Sequence, residues 1–389
     1  MKRLRNWLFA FFFALPVILF WVNMAVNGQQ TVSETENRAL VQMPVLSVQS
    51  FRNGEFQDEL EEAIGDQLPG SEMIRSAVKD TEAGLLDAMQ NAFSVVFPEM
   101  RNGYLQISDG YYTYRGDEHR IVERPLPFEK TEFLERMRDA LQAQPAPVYL
   151  YFVENSRSLD FDHPTCESEW FLRLKEELQP TAARNFTFAD YDGFCSLFYE
   201  TDHHWNAEGS YRGYTEILEM IRPGETPLAK GELIKIPAVF NGSYARLTKR
   251  MCAAETFAFY DFDIPKHTET MNGKRGTYGR LNAYRKGKYT ADTLTNHYAA
   301  CYGGDYGEII YDFGTEGKGN LLMIASSYSN PINGLIASHF DRTYVIDLRY
   351  YEEWAGKPFD PAGYVRGNDI GTVLLLGDAK LFADEGEGE

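Results

Sequence analysis

The sequence predicts a three-layer α/β domain built on a parallel central sheet and preceded by one N-terminal transmembrane helix. Three observations predict it. Short continuous apolar runs, such as Val148–Val153 and Leu321–Ala325, have the length and the β-branched or aromatic content of strands buried on both faces. Segments of helical period separate these runs, and strands alternating with helices imply crossover units and a parallel sheet. The chain also opens with basic residues followed by an apolar stretch of spanning length.

The N-terminal stretch comes first. Lys2, Arg3 and Arg5 precede an apolar run from Trp7 to Val22, and after Asn23 the apolar character resumes through Met24, Ala25 and Val26. About 20 such residues cross a hydrocarbon core as a helix. The basic flank belongs on the cytoplasmic side, which makes the chain single-pass at the cell membrane with the remainder extracytoplasmic. Pro16 is tolerated better in a membrane helix than in a soluble one. The competing reading is a cleaved signal peptide, whose apolar region runs roughly 7–15 residues to a small-x-small site. No good Ala-x-Ala and no lipid-attachment cysteine follows the run. The organisation read from this is an anchor over 1–28, a polar linker over 29–50, one folded domain over 51–382 and an acidic tail over 383–389.

Within the domain, Phe51–Leu68 and Met73–Met89 read as amphipathic helices. Tyr104–Tyr114 reads as a hairpin turning at Asp109-Gly110. Helical period covers Phe128–Gln144, Ser168–Leu178, Asn206–Ile221 and Asn330–His339. Strands are expected at Val148–Val153, Phe186–Ala189, Leu321–Ala325, Thr343–Ile346 and Val373–Leu376. Residues 223–319, rich in Gly, Tyr and Thr, read as an irregular insertion of short strands and loops.

Composition narrows the function classes. Hydrophobic residues make up 44% and aromatic residues 14% of the chain, which argues for a folded domain. The formal net charge of −19 excludes nucleic acid as partner, since that needs a basic face. Four cysteines, Cys166, Cys195, Cys252 and Cys301, allow two disulfides in three connectivities, with sequence order leaning to Cys166–Cys195, or remain free and buried. No CxxC spacing occurs, so a thiolate zinc site is not expected.

The segment Thr201-Asp202-His203-His204-Trp205-Asn206 carries the clearest chemistry. In an extended chain Asp202 and His204 project to one side and His203 to the other. Asn206 is placed to cap the helix that follows. A carboxylate beside an imidazole fixes its tautomer and stabilises the imidazolium, as a general base requires. The matching nucleophile is a serine after the strand Leu321–Ala325, in Ser326-Ser327-Tyr328. Sites in parallel α/β sheets form beyond the carboxyl ends of strands, and N–H groups at a following helix start hold an oxyanion. Taken singly, each half has a plainer reading: a surface or core Asp–His pair, and a serine helix cap.

The stretch TDHHWNAEGSYRGY at 201–214 resembles the signature of the DHHY proteins, relatives of the AlgJ/AlgX-like proteins of alginate O-acetylation within the SGNH hydrolase superfamily. Further segments agree in order. Glu36-Asn37-Arg38-Ala39-Leu40, Asn53-Gly54-Glu55-Phe56 and Asp66-Gln67-Leu68-Pro69 resemble the family's opening, LLMIASSYSNP its nucleophile block, and HFDRTYVIDLRYY at 339–351 the following strand. The Asp-x-His before the serine block is also that family's order. The resemblance implies a three-layer SGNH-like domain that, in active relatives, transfers or removes O-acetyl groups on exported polysaccharide. By position it makes Ser327 the nucleophile, His204 the base and Asp202 its orienting acid, with Tyr328 and Arg349 close by. By analogy alone it implies a membrane-bound O-acyltransferase as acetyl donor. No cofactor and no metal is expected. One departure stands out: the family's Asp-Ser-Tyr reads Ser326-Ser327-Tyr328 here. That leaves open a catalytically inactive carbohydrate-binding or scaffold protein of the cell envelope.

Other residues admit plainer roles beside functional ones. Arg349 offers an oxyanion or uronate contact, or a structural ion pair. Gly242, in FNGSYARL at 240–247, offers an N–H for an oxyanion hole, or a simple turn. Asp202, His203 and His204, with His163, offer a metal site, though adjacent histidines chelate poorly. Tyr104, Tyr111, Tyr112 and Tyr114 offer sugar stacking, or hairpin packing.

Overall fold

The computed structural model describes residues 103–251, 253–277, 279, 281–290 and 295–383, and before them 28–29, 31–33, 38–53 and 55–68 with isolated positions between 15 and 26 and between 78 and 89. The expected transmembrane segment, the helix Met73–Met89, Cys252 and the tail after Ala383 lie wholly or largely outside the described residues. Among those described, no helix is long and apolar enough to cross a membrane.

The chain divides into two compact units. In the smaller, β1 (Val32–Ser33) pairs antiparallel with β2 (Arg38–Ala39). Helices Val48–Asn53 and Glu55–Gln67 follow, two where one was expected. Asp66 and Gln67 at the end of the second bind the Val41 backbone, accepting its N–H at 2.9 Å and donating to its carbonyl at 3.1 Å.

The larger unit, Phe97–Ala245 with Met251–Gly388, carries the remaining strands. They are β3 (Tyr104–Ser108), β4 (Tyr111–Tyr114), β5 (Asp117–Val122), β6 (Val148–Val153), β7 (Ala182–Phe186), β8 (Leu233–Val239), β9 (Thr256–Tyr260), β10 (Thr268–Met271), β11 (Lys274–Gly276), β12 (Glu308–Asp312), β13 (Asn320–Ala325), β14 (Arg342–Ile346) and β15 (Ile370–Gly377). Eight of them form the main sheet, in the order β11-β10-β12-β14-β13-β15-β6-β7. From β14 to β7 every pairing is parallel. At the other end β12, β10 and β11 add antiparallel. The sheet is therefore mixed, where a wholly parallel one was expected. The correction comes from residues 223–319, read as irregular, which supply all three antiparallel strands.

Both faces of the parallel half are covered, as its sequence demands. Side chains alternate along a strand. Leu150 and Phe152 enter one apolar cluster, with Leu322, Ile324, Val373 and Leu375. Tyr151 and Val153 enter the other, with Leu321, Met323, Leu374 and Leu376. Helices Glu132–Gln142 and Glu169–Leu178 cover the first face, and Ala207–Ile221 the second. A smaller aromatic cluster, including Phe240, Phe257, Tyr284, Tyr298 and Tyr302, forms around the β8–β9 hairpin. Cys166, Cys195 and Cys301 are free, so the Cys166–Cys195 bridge does not form.

Candidate active site

The reading of Asp202–His204 as an extended strand gives way to a tight loop. Phe198 bridges Trp205, the Tyr199 N–H donates to the His204 carbonyl at 3.2 Å, and the Asn206 N–H donates to Leu197 O at 2.8 Å. The loop closes on itself through Asp202, whose Oδ1 accepts the His204 N–H at 3.0 Å, a carboxylate turn of the kind Asp favours. His203 does not point away. Its ring lies 3.9 Å from that of His204, and its Nδ1 is 3.0 Å from Ser243 Oγ. Asn206 caps the following helix as expected, accepting from the N–H groups of Glu208 and Gly209.

Ser327 enters from the sheet. β13 ends at Ala325, Ser326 continues extended, and Ser327–Ser329 form one 3-10 turn, with Ser329 N–H donating to Ser326 O at 3.0 Å. His204 and Ser327 meet although 123 residues apart: His204 Nε2 lies 2.8 Å from Ser327 Oγ. On the other side of the ring, His204 Nδ1 lies 2.6 Å from Asp202 Oδ1. Asp202 Oδ2 accepts the Ser243 N–H at 2.8 Å. Burial by itself would raise the Asp202 carboxyl. The His204 imidazole, its hydrogen bond and the His203 ring outweigh this and hold the carboxyl well below the usual carboxylate range. Asp202 is therefore an acceptor for the Nδ1–H, which leaves Nε2 free to take a proton from the serine. His204 is buried and Ser327 half-buried.

The remaining expected contacts have other roles. Tyr328 is buried, and burial raises its phenol so that it stays a neutral donor. It donates to the His203 carbonyl at 2.5 Å and accepts from Asn155 Nδ2 at 2.7 Å. It holds the histidine loop and does not face a substrate. The Gly242 N–H donates to Thr201 Oγ1 at 2.9 Å and is spent there, not in an oxyanion hole. Glycine is needed for another reason: a Cβ there would sit 2.3 Å from Asp202 Cβ and 2.6 Å from the Thr201 carbonyl. Arg349 binds Asp347 through Nε at 3.0 Å and through Nη2 at 2.6 Å, and reaches Asp305 at 3.1 Å. Asp305 in turn accepts from Asn330 Nδ2 at 3.1 Å, so Arg349 reaches the serine turn only through two intermediaries. Asp202, His203 and His204 do bring ligand atoms within 4.8 Å of one another. A metal there would have to displace the hydrogen bonds just described. His163 is outside this cluster, pairing with Asp160 on the surface. Tyr104 and Tyr114 pack on each other at 4.8 Å and Tyr114 is buried, which is hairpin packing.

Sequence reasoning missed several supports. Tyr298 stacks on the His204 ring at 3.8 Å and 16°, and its hydroxyl donates to the Ser327 carbonyl at 2.8 Å. Asn155 follows β6, and Asp378 follows β15 and accepts from Asn155 Nδ2 at 2.9 Å. Their place just past the carboxyl ends of two parallel strands was the available signal. Tyr298, on the helix His297–Tyr302 outside that edge, offered none.

No family model matches the chain, and no curated protein matches it. Solved structures do. A DHHW family protein from Eubacterium siraeum aligns with a TM-score of 0.54 at 16% identity, over 74% of this chain and 94% of that one. Bacillus cereus PatB1 with a sulfonyl adduct aligns at 0.52 and 18% identity, over 70% of this chain and 96% of that one. A second structure of Bacillus cereus PatB1 aligns at 0.50 and 18% identity, over 70% of this chain and 98% of that one. The motif of this chain itself reads Asp202-His203-His204-Trp205, with tryptophan in the fourth place. The chain shares the mixed α/β fold of the DHHW family protein and of PatB1.

Proposed function

We propose that the domain is a serine acyl-transfer enzyme acting on O-acetyl groups of exported or cell-envelope polysaccharide. The observation that carries this reading is the unbroken contact from Asp202 through His204 to Ser327 Oγ, at 2.6 and 2.8 Å. Ser327 Oγ attacks the acetyl carbonyl while His204 Nε2 takes its proton, and Asp202 stabilises the imidazolium. The oxyanion meets the leading N–H groups of the Ser327–Ser329 turn, which have no acceptor within that turn. Collapse expels the donor alkoxide, which leaves as an alcohol with the proton from His204, and the acetyl group stays on Ser327. A sugar hydroxyl then gives its proton to His204 and attacks, forming the new ester and restoring the serine. Water in place of the sugar makes the same cycle an esterase.

Two further points belong to the reading. Residues 7–26 anchor the chain in the cell membrane and place the domain outside, beside a membrane-bound acyl donor. Retention of the full-length chain in membranes after alkaline extraction tests the anchor. The literal Asp202-His203-His204-Trp205 segment supports grouping the chain with the DHHW proteins.

The deciding experiment is hydrolysis of 4-nitrophenyl acetate by the full-length chain and by Ser327→Ala, with a sulfonyl fluoride as label. Such reagents capture a base-activated serine, and the similarly folded PatB1 carries a sulfonyl adduct. We expect turnover and a single adduct in the wild type, and a loss of about 10⁴-fold with no adduct in the variant. A wild type that neither turns over nor labels overturns the enzyme reading and leaves the binding or scaffold role.

A further inference from the structure

A second concave feature borders the nucleophile's turn. A cavity of about 400 Å³ is lined by the β10–β11 hairpin, by residues of the helix Leu281–Arg285, and by Tyr302, Asn330 and Pro331. Its volume lies in the range of small-ligand sites, about 300–1,000 Å³. Two lining residues tie it to the reacting serine. The Asn330 N–H donates to the Ser327 carbonyl at 3.1 Å. Tyr302 meets Tyr298 edge-on at 5.2 Å, and the Tyr298 hydroxyl holds that same carbonyl at 2.8 Å. Through either residue the cavity is linked to the backbone of Ser327.

The charge of the lining is opposite to that of the chain. The whole protein carries −19, yet Lys266 and Arg275 line this cavity with no carboxylate partner among the described residues. The other ionisable groups of the lining cancel. Arg285 pairs with Asp261 at 2.5 Å. His267 Nδ1 faces the Pro265 carbonyl at 2.7 Å, and Nε2 faces Glu269 Oε1 at 2.9 Å. Both are hydrogen bonds only when the ring carries both protons, so the imidazolium offsets the Glu269 carboxylate. Two uncancelled cations in a concave, partly apolar wall focus a positive potential there.

We propose that this cavity is the acceptor subsite, and that it holds an anionic segment of glycan, a carboxylate or phosphate set against Lys266 and Arg275, so that a neighbouring hydroxyl reaches the acyl group on Ser327. Delivery to Ser327 rests on the acyl-transfer reading; the binding of the anion does not. The test uses the full-length chain, wild type and the double variant Lys266→Glu, Arg275→Glu, neither residue being part of the catalytic machinery. Titration calorimetry compares trigalacturonate, a trimer of glycerol phosphate, and the neutral maltotriose. The wild type is expected to bind one anionic trimer at least about tenfold more tightly than maltotriose, and the trimer preferred identifies carboxylate or phosphate. The charge-reversed variant is expected to lose that preference while hydrolysing 4-nitrophenyl acetate at the wild-type rate. Equal or absent binding of all three probes, or a preference that survives charge reversal, overturns the subsite. Ester turnover read in the same samples separates the two claims. Preference without turnover removes acyl transfer and keeps the anion site; turnover without preference does the reverse.

Discussion

The imidazole of His204 meets a carboxylate at one nitrogen, a hydroxyl at the other and a phenol ring across its face. Each contact has its own expected signature. Asp202→Asn keeps the shape but favours the wrong tautomer, and kcat for ester hydrolysis is expected to fall about 10³–10⁴-fold. Stability follows pH with a definite sign. The folded Asp202 carboxyl lies below its unfolded value, so its interactions stabilise the fold above about pH 4 and fade as pH falls toward the folded value. The stability gap between wild type and Asp202→Asn is therefore expected to be largest near neutrality and to narrow on acidification, as denaturant unfolding at pH 7 and pH 3 checks. Tyr298→Phe keeps the stacking and loses the hydrogen bond to Ser327. A drop of up to about tenfold in kcat with KM unchanged is expected, and Tyr298→Ala should lower kcat further. The sequence discloses Asp202, His204 and Ser327 because each sits in a local pattern, a two-residue spacing or a strand end. It does not disclose Tyr298, which matters only through a contact made in space. Gly242 drew notice for its N–H, whereas its missing Cβ is what the site uses.

Among the elements, the helix Ala207–Ile221 positions the histidine loop by packing against Trp205. A Cβ on Gly213 would lie 2.5 Å from the Trp205 ring, and that ring is fully buried beside Phe186 and Tyr328. Gly213→Ala is expected to destabilise the domain by about 1–3 kcal/mol through overpacking, read as a lowered midpoint of thermal unfolding. Central strands were legible for the reason that they are central. β6 and β13 are covered on both faces, and so run apolar over Val148–Val153 and Leu321–Ala325. Edge strands carry no such run. β7 is Ala-Ala-Arg-Asn-Phe, half exposed, and its expected position slid onto the more apolar residues after it. β10 and β11, Thr-Glu-Thr-Met and Lys-Arg-Gly, are short and polar. Within a stretch read as short strands and loops, nothing marks them as members of the main sheet, and with them goes the sheet's mixed character. Helix starts were sharper, because Ser168 and Asn206 are caps that accept the first free N–H groups.

Across the whole molecule, the parallel half of the main sheet is covered on both faces. The order of strands adds something about time. β15 is the last strand of the sheet in sequence, and it lies between β13 and β6. β13 delivers Ser327, and β6 delivers Asn155, which braces the histidine loop through Tyr328. Until Ile370–Gly377 has been synthesised and inserted, those two halves have no strand to join them. A chain in which β15 has not yet been inserted therefore holds its serine and its base on separate, unzipped pieces. The contact between Ser327 and His204 is therefore completed late, only when this strand closes the gap between the two halves of the sheet.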